Sequence, residues 1–357
     1  MPRARLGIQL IGINRGAAAM AGTVLVTGGS GYIAGFLIRQ LVAEGWAVNT
    51  TVRSLAREGE VRGWLDVDND KLRFFAADLM NDAGWAGAMA GCGHVAHVAS
   101  PFPAAAPKND HELVVPAREG ALRALRFAQA AGVKRFVLTS SVAAIAYGHG
   151  ADTRPYTEAD WTDVHAPGVG AYIKSKTIAE RAARDWIVAT GSTMEFCSVN
   201  PSAVLGPLLS DDFSASIQFV QRILDGSVPG MPRLGFAVVD VRDLADLHVR
   251  ALTTPGIDGE RFIGAGAFLW MKQVAAILRE GLGPQARKVP TRGIPDFVVR
   301  AMALFDPTIR QVTGELGRTR AVDPRHSLGV LGWKTRDEAT TILDTARSLI
   351  ERGIVKV

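Results

Sequence analysis

The run Thr23-Val24-Leu25-Val26, continued by Thr27-Gly28-Gly29-Ser30-Gly31 and then by apolar residues at helical spacing, constrains this chain more than any other stretch. From Gly31 to Glu44 the positions Ile33, Leu37 and Leu41 recur every fourth residue, with Phe36 beside them. A short β-branched run, a glycine turn and an amphipathic helix form the opening unit of a parallel sheet. Glycines at such a turn let the backbone approach an anion closely. The helix start adds unpaired amides and the positive end of a dipole, so the unit predicts a pyrophosphate site. Ordinary tight turns also use glycines, but the strand before this one and the helix after it favour the nucleotide reading.

The same alternation continues. Ala47 to Val52 predicts a second strand with Arg53 directly after it, and Leu72 to Ala76 a third, closed by Asp78-Leu79. His94 to Ala99 predicts a fourth, ended by Ser100-Pro101-Phe102-Pro103, and the helical pattern from Leu113 to Ala131 leads into a fifth, Arg135 to Thr139. A sixth, Phe196 to Val199, stops at Asn200-Pro201. Strands alternating with helices at this pace predict an α/β chain: a Rossmann-type doubly wound parallel sheet with a smaller C-terminal substrate-binding lobe. The expected division is residues 22–204 with about 236–266 in the nucleotide domain, and 205–235 with about 267–357 in the lobe. Residues 1–21 are expected to be a disordered tail or a mis-assigned start. Ligands on such sheets sit beyond the strand C-terminal ends, where Gly28, Asp78, Ala99 and Ser141 all fall.

Tyr172 and Lys176 are four apart, so on a helix both side chains enter the same space. A phenol is a poor acid or base at neutral pH, and an ammonium within reach is expected to favour its ionised form and lower its pKa. Ser140-Ser141, closing the fifth strand, offers a hydroxyl to hold a carbonyl or alcohol oxygen against that phenol. Such a trio protonates an oxygen while a separate carrier delivers hydride to the carbon.

Other classes are disfavoured. The formal charge of +5 is spread along the chain without a basic run interleaved with aromatics, so no nucleic-acid partner is expected. His94 and His97, three apart on a strand, point to opposite faces, and no metal site is expected. No glycine-flanked nucleophile surrounds Ser140, which argues against a hydrolase. No apolar stretch reaches the ~20 residues that span a bilayer. The basic start and short apolar core over residues 1–13 mimic a signal peptide, but Gln9 interrupts the core and Arg15 follows it. Cys92 and Cys197 lie in or beside apolar runs, as buried thiols of a cytoplasmic monomer or homodimer would.

The motifs Thr27-Gly28-Gly29-Ser30-Gly31-Tyr32-Ile33-Ala34, Asp78-Leu79, Val98-Ala99-Ser100-Pro101, Thr139-Ser140-Ser141, Tyr172 to Lys176 and Asn200-Pro201 occur in the order of the extended short-chain dehydrogenase/reductases. Over roughly residues 22 to 350 the chain most resembles their dihydroflavonol-reductase and cinnamoyl-CoA-reductase branch, including its Leu331-Gly332-Trp333 turn. The resemblance implies that Tyr172 is the general acid, that Lys176 lowers its pKa and holds the nicotinamide ribose, and that Ser141 binds the substrate oxygen. It implies cofactor contacts from Thr27, Gly28, Ser30, Gly31, Tyr32, Ile33, Asp78, Leu79, Ala99, Ser100, Pro201 and Val204. Ala34 replaces a usual glycine. Glu119 and Arg123 stand where many relatives have asparagines, so no catalytic asparagine is assigned.

The residues after the second strand address cofactor choice. An NAD enzyme of this architecture usually places a carboxylate there for the ribose hydroxyls, yet Asn49 to Ser54 contains none. Arg53 stands there instead, a guanidinium suited to a 2′-phosphate, so NADP is expected over NAD. The apolar segments Pro101-Phe102-Pro103, Val204 to Leu209 and Phe213 are expected near a pocket for a hydrophobic, aromatic or cyclic carbonyl or alcohol; membership of the core is the competing reading. Two other functions stay open. One is a nucleotide-sugar epimerase or dehydratase, although the dehydratases carry an Asp-Glu pair where this chain has Val142 next to Ser141. The other is a non-enzymatic NAD(P)-sensing regulator, which would have no need for Tyr172 and Lys176.

Overall fold

A computed structural model describes residues 22–101, 109–150, 154–305, 310 and 313–356. The expected tail, and Phe102 and Pro103 of the expected pocket, lie outside the described residues.

Seven parallel strands form one sheet in the order β3-β2-β1-β4-β5-β6-β9: β1 Thr23–Val26, β2 Ala47–Val52, β3 Leu72–Ala76, β4 Cys92–His97, β5 Arg135–Thr139, β6 Glu195–Pro201 and β9 Arg261–Gly264. Strands β1, β4, β5 and β6 are almost continuously buried, as runs covered on both faces must be. The order reverses between β1 and β4, where Val26 pairs with Thr50 on one side and with Ala96 on the other. This reversal opens the crevice in which doubly wound sheets bind their ligands.

Helices α1 (Tyr32–Ala43) and α7 (Val241–Thr253) pack on one face, and α3 (Trp85–Met89), α4 (His111–Ala130) and α5 (Ala171–Thr190) on the other; α2 (Glu58–Leu65) follows β2. The two faces have separate cores. Leu37, Leu41, Val48, Leu244 and Trp333 belong to the first, and Trp85, Leu125, Phe136 and Phe196 to the second. His94 stacks edge-on against Trp46 of the first, whereas His97 lies against Trp85 and Phe136 of the second, so the two histidines do face opposite sides of β4.

A second sheet of three strands, ordered β10-β8-β7, holds β7 (Ala203–Leu205), β8 (Gly235–Asp240) and β10 (Phe268–Trp270). The stretch of about residues 236–266 expected in the nucleotide domain is divided: its first strand enters the small sheet, while helix α7 covers the large one. A third core joins Leu205, Leu208, Val220 and Ile223 to α6 (Ala215–Leu224), α8 (Met271–Leu282) and the last helix. Beyond α9 (Asp296–Met302) and α10 (Arg325–Leu331), that last helix is α11 (Glu338–Glu351). Gly332, left-handed at φ 57, ends α10 and turns Trp333 inward, where its indole N–H donates to the Asp243 carbonyl at 2.7 Å. Val204, Leu205 and Leu208 are thus core side chains, and Phe213 packs against the third core.

Candidate active site

The glycine turn is held by its neighbours rather than by its own side chains. Gly28 adopts φ +75, and its N–H donates to Thr51 Oγ1 at 3.0 Å; Gly29 N–H donates to the Thr51 carbonyl at 2.8 Å. A Cβ on Gly29 would lie 2.2 Å from Thr50 Oγ1, so the turn can press this closely against β2 only as glycine. Gly31 is the N-cap of α1 with no side-chain cap, which leaves the first amides of a twelve-residue helix pointing into the crevice. These are features that a dinucleotide pyrophosphate requires.

Around the turn the expected contact residues gather at strand ends. Thr27 Oγ1 accepts from Ala99 N–H at 3.0 Å and lies 3.1 Å from His97 Nδ1; with that acceptance made, its own proton is free for the ring nitrogen. Burial, with Lys176 nearby, pushes the His97 imidazole down to about 3, so the ring is neutral. Ser30, Ile33 and Ser100 are half-buried at the same edge. Tyr32 wedges between the first and third cores, and its hydroxyl has no hydrogen-bond partner among the described residues; burial, and then Asp240, push that phenol well up.

Asp78 caps its own turn through Met80 N–H at 2.7 Å. Arg123 reaches back to the Leu79 carbonyl and to Asp82, while Glu119 pairs with the neighbouring Arg118, so these two residues stabilise surroundings rather than face the crevice. Arg53 is exposed just beyond β2 and pairs with no carboxylate among the described residues. Arg57, a turn further, is engaged by Glu60 at 3.1 Å and Asp212 at 3.5 Å. Of the two arginines, Arg53 is the one left available to a phosphate.

The chemistry gathers beyond β5 and β6. Ser141 caps the short turn Val142–Ala144, accepting from Ala143 N–H at 3.1 Å, and its hydroxyl lies 3.4 Å from the Pro201 carbonyl. Tyr172 stands in the first turn of α5 with Ser141 as the polar side chain that lowers its phenol, so two hydroxyls from different elements converge where one substrate oxygen could sit. Tyr172 is 39% exposed as a residue, but the protein packed around it still desolvates the hydroxyl.

Its acidity differs from the expectation. Burial pushes the Tyr172 phenol up, and the lowering influence is the Ser141 hydrogen bond rather than Lys176. Lys176 is itself pushed down to about 8 by burial, with Glu180 pulling the other way, and it makes no hydrogen bond among the described residues. An ammonium that is itself poorly solvated exerts its pull only when its own charge is sustained. Pro201 closes β6 opposite Gly264, and the Val204 side chain packs in the core.

The sequence reading passed over the groups behind this cluster. Glu180, one turn beyond Lys176 and wholly buried, binds Ser140, Ser198, Asn200, Arg184 and Arg261. The signal was present: an acid at Lys176 plus four, on the face of α5 that carries Tyr172 and Lys176. Tyr147 was also missed; burial pushes it up to about 12, and Tyr172 contributes to that rise.

The model of the NAD dependent epimerase/dehydratase family matches residues 24–263. Cinnamoyl-CoA reductase CAD2 of Medicago truncatula is 33% identical over 269 residues, covering 73% of this chain and 81% of its own. Dihydroflavonol 4-reductase of Zea mays is 30% identical over 279 residues, covering 75% of this chain and 77% of its own. Among solved structures, yeast methylglyoxal/isovaleraldehyde reductase Gre2 complexed with NADPH superposes with a TM-score of 0.76 at 26% identity, covering 93% of this chain and 100% of that one. By these matches the chain belongs to the NAD-dependent epimerase/dehydratase family, within the dihydroflavonol-reductase and cinnamoyl-CoA-reductase branch of the extended short-chain dehydrogenase/reductases.

Proposed function

We propose that this protein is an NADP(H)-dependent oxidoreductase that interconverts a hydrophobic, aromatic or cyclic carbonyl compound and its alcohol. The observation that carries the reading is the approach of Tyr172 to Ser141 at the strand ends, close enough for that hydroxyl to lower the phenol's pKa, one helical turn from Lys176. Bound there, the nicotinamide supplies hydride. Gly28, Gly31 and the first amides of α1 would hold the pyrophosphate, Asp78 and Leu79 would border the adenine, and Arg53 would meet the 2′-phosphate. Lys176 would hold the nicotinamide ribose. Ser141 Oγ and Tyr172 Oη both bind the substrate oxygen, and the Tyr172 proton moves to it as its charge develops.

The raised phenol suits reduction, since it keeps the proton on Tyr172 until an oxygen carrying developing negative charge draws it off. The apolar substrate rests on the relatives named cinnamoyl-CoA reductase and dihydroflavonol 4-reductase rather than on Val204, Leu205 and Leu208, which pack in cores. Assaying NADPH consumption with aryl aldehydes, aryl ketones, flavanonols and UDP-sugars tests the reading. Turnover of the aromatic carbonyls is expected, and activity confined to the UDP-sugars would replace it with the epimerase or dehydratase alternative.

A further inference from the structure

Glu180 is 0% exposed on α5, eight residues beyond Tyr172 and four beyond Lys176. Its Oε2 accepts from Ser140 Oγ at 2.6 Å and Asn200 Nδ2 at 2.8 Å. Its Oε1 accepts from Arg261 Nε at 2.7 Å, Ser198 Oγ at 2.9 Å and Arg184 Nε at 3.3 Å. A buried carboxylate without such partners would be among the costliest groups a fold can carry. Here burial pushes the carboxyl up, but Arg261 and Arg184 outweigh it and hold it below its ordinary range, so Glu180 is ionised.

We propose that Glu180 is a positioning residue for the reaction, pinning the Ser140-Ser141 turn against β6 while serving as the carboxylate that keeps the Lys176 ammonium charged. The inference rests on the reading of Tyr172 and Lys176 given above. The pin is direct: Ser140 precedes Ser141 and is bound by Glu180, and Asn200, bound by the same carboxylate, donates to the Ser141 carbonyl at 3.2 Å. The electrostatic role follows from what surrounds Lys176. On its own helix the charge acting on it is Glu180, itself paired with Arg184 and, from β9, with Arg261, held 3.8 Å over the Trp161 ring; from β4 comes His97, which is neutral. Tyr147 faces Tyr172 and is also neutral. Glu180 is thus the anionic neighbour of a lysine that burial is already driving toward its neutral form. Without that charge nothing offsets the burial of Lys176, which would lose its proton at lower pH.

A purely structural Glu180 would affect folding without moving that titration. The test is NADPH affinity, followed by quenching of tryptophan fluorescence from about pH 6 to about pH 10, a range that brackets the Lys176 transition. In the wild type the Kd is expected to rise beyond about pH 8, as Lys176 loses its proton and its ribose contact, and Lys176→Met should abolish the rise. In Glu180→Gln the rise should begin about one pH unit lower, the scale on which a neighbouring charge shifts a titration. Arg184→Gln, which removes a guanidinium that pairs with Glu180 and offsets its charge, should move it upward. A rise at the wild-type pH in Glu180→Gln overturns the proposal. If that variant does not fold, a rise in Arg184→Gln that stays put or moves downward overturns it equally. A rise that survives in Lys176→Met would instead sink the underlying assignment of Lys176.

Discussion

Arg53 stands beyond β2 with no carboxylate against it among the described residues, whereas Arg57 is held by two. Replacing Arg53 with Ala should therefore raise KM for NADPH at least tenfold, about 1.4 kcal/mol, and leave KM for NADH nearly unchanged. Equal weakening of both cofactors would show that Arg53 does not meet the 2′-phosphate. Tyr172→Phe keeps the ring but removes the proton donor, and should lower kcat by ~10²–10⁴-fold while NADPH still binds. More than a tenth of the wild-type kcat in that variant would rule out the mechanism. At this scale, what the sequence disclosed depended on distance along the chain. Tyr172 and Lys176 were legible because their relation is one helical turn, and Ser141 because it closes a strand. Arg261, 81 residues from the Glu180 it binds, had no local pattern to betray it.

The glycine turn is where the element scale decides stability and function together. Gly29 faces Thr50, whose hydroxyl is committed to the Val26 carbonyl at 2.8 Å between β1 and β2. Gly29→Ala should thus spread the two strands, costing ~1–3 kcal/mol, and weaken NADPH binding by distorting the start of α1. Adding Thr50→Ala should recover most of the loss in melting temperature, and failure to do so would place the strain elsewhere. The first six strands could be read from their alternation with helices, since β-branched runs flanked by glycine, proline or asparagine carry a local signal. The small sheet could not. Strands β7 and β10 are three residues each, and β8 finds its partners more than 25 residues away in both directions, so tertiary pairing rather than local preference creates them.

Across the whole molecule, buried neutral histidines set the response to acid. His248 donates from Nδ1 to the Leu244 carbonyl and accepts the Thr139 hydroxyl at Nε2, each at 2.8 Å, and burial pushes it down to about 4, as it does His97 to about 3. An unfolded histidine titrates near ~6.5, so as pH falls below that value the unfolded chain takes up two protons that the folded chain refuses. Asp243, pushed up to about 6 chiefly by burial, acts in the opposite sense, holding a proton in the fold that an unfolded carboxyl releases. These three groups alone make stability fall by about 1.4 kcal/mol per pH unit between about pH 6 and pH 4; His94, also pushed down by burial, adds to the fall and Glu158, pushed up by burial, opposes it. Thermal melts across that range check the sum, and His248→Gln should flatten the slope; an unaltered slope would remove His248 from the account.

The same sheet that carries the site also encloses both thiols. Cys92 lies at the start of β4, pushed up to about 11, and Cys197 in the middle of β6, pushed up to about 12, in both cases by burial first. Neither thiol is available as a thiolate while the strands stay closed. A thiol reagent mixed with the native protein is consequently a stopwatch: the label arrives only when a strand lets go. Because the two cysteines lie on different strands, their separate labelling rates would reveal whether β4, next to the glycine-turn strand, and β6, which ends against Ser141, open together or in turn, and whether NADPH slows one more than the other.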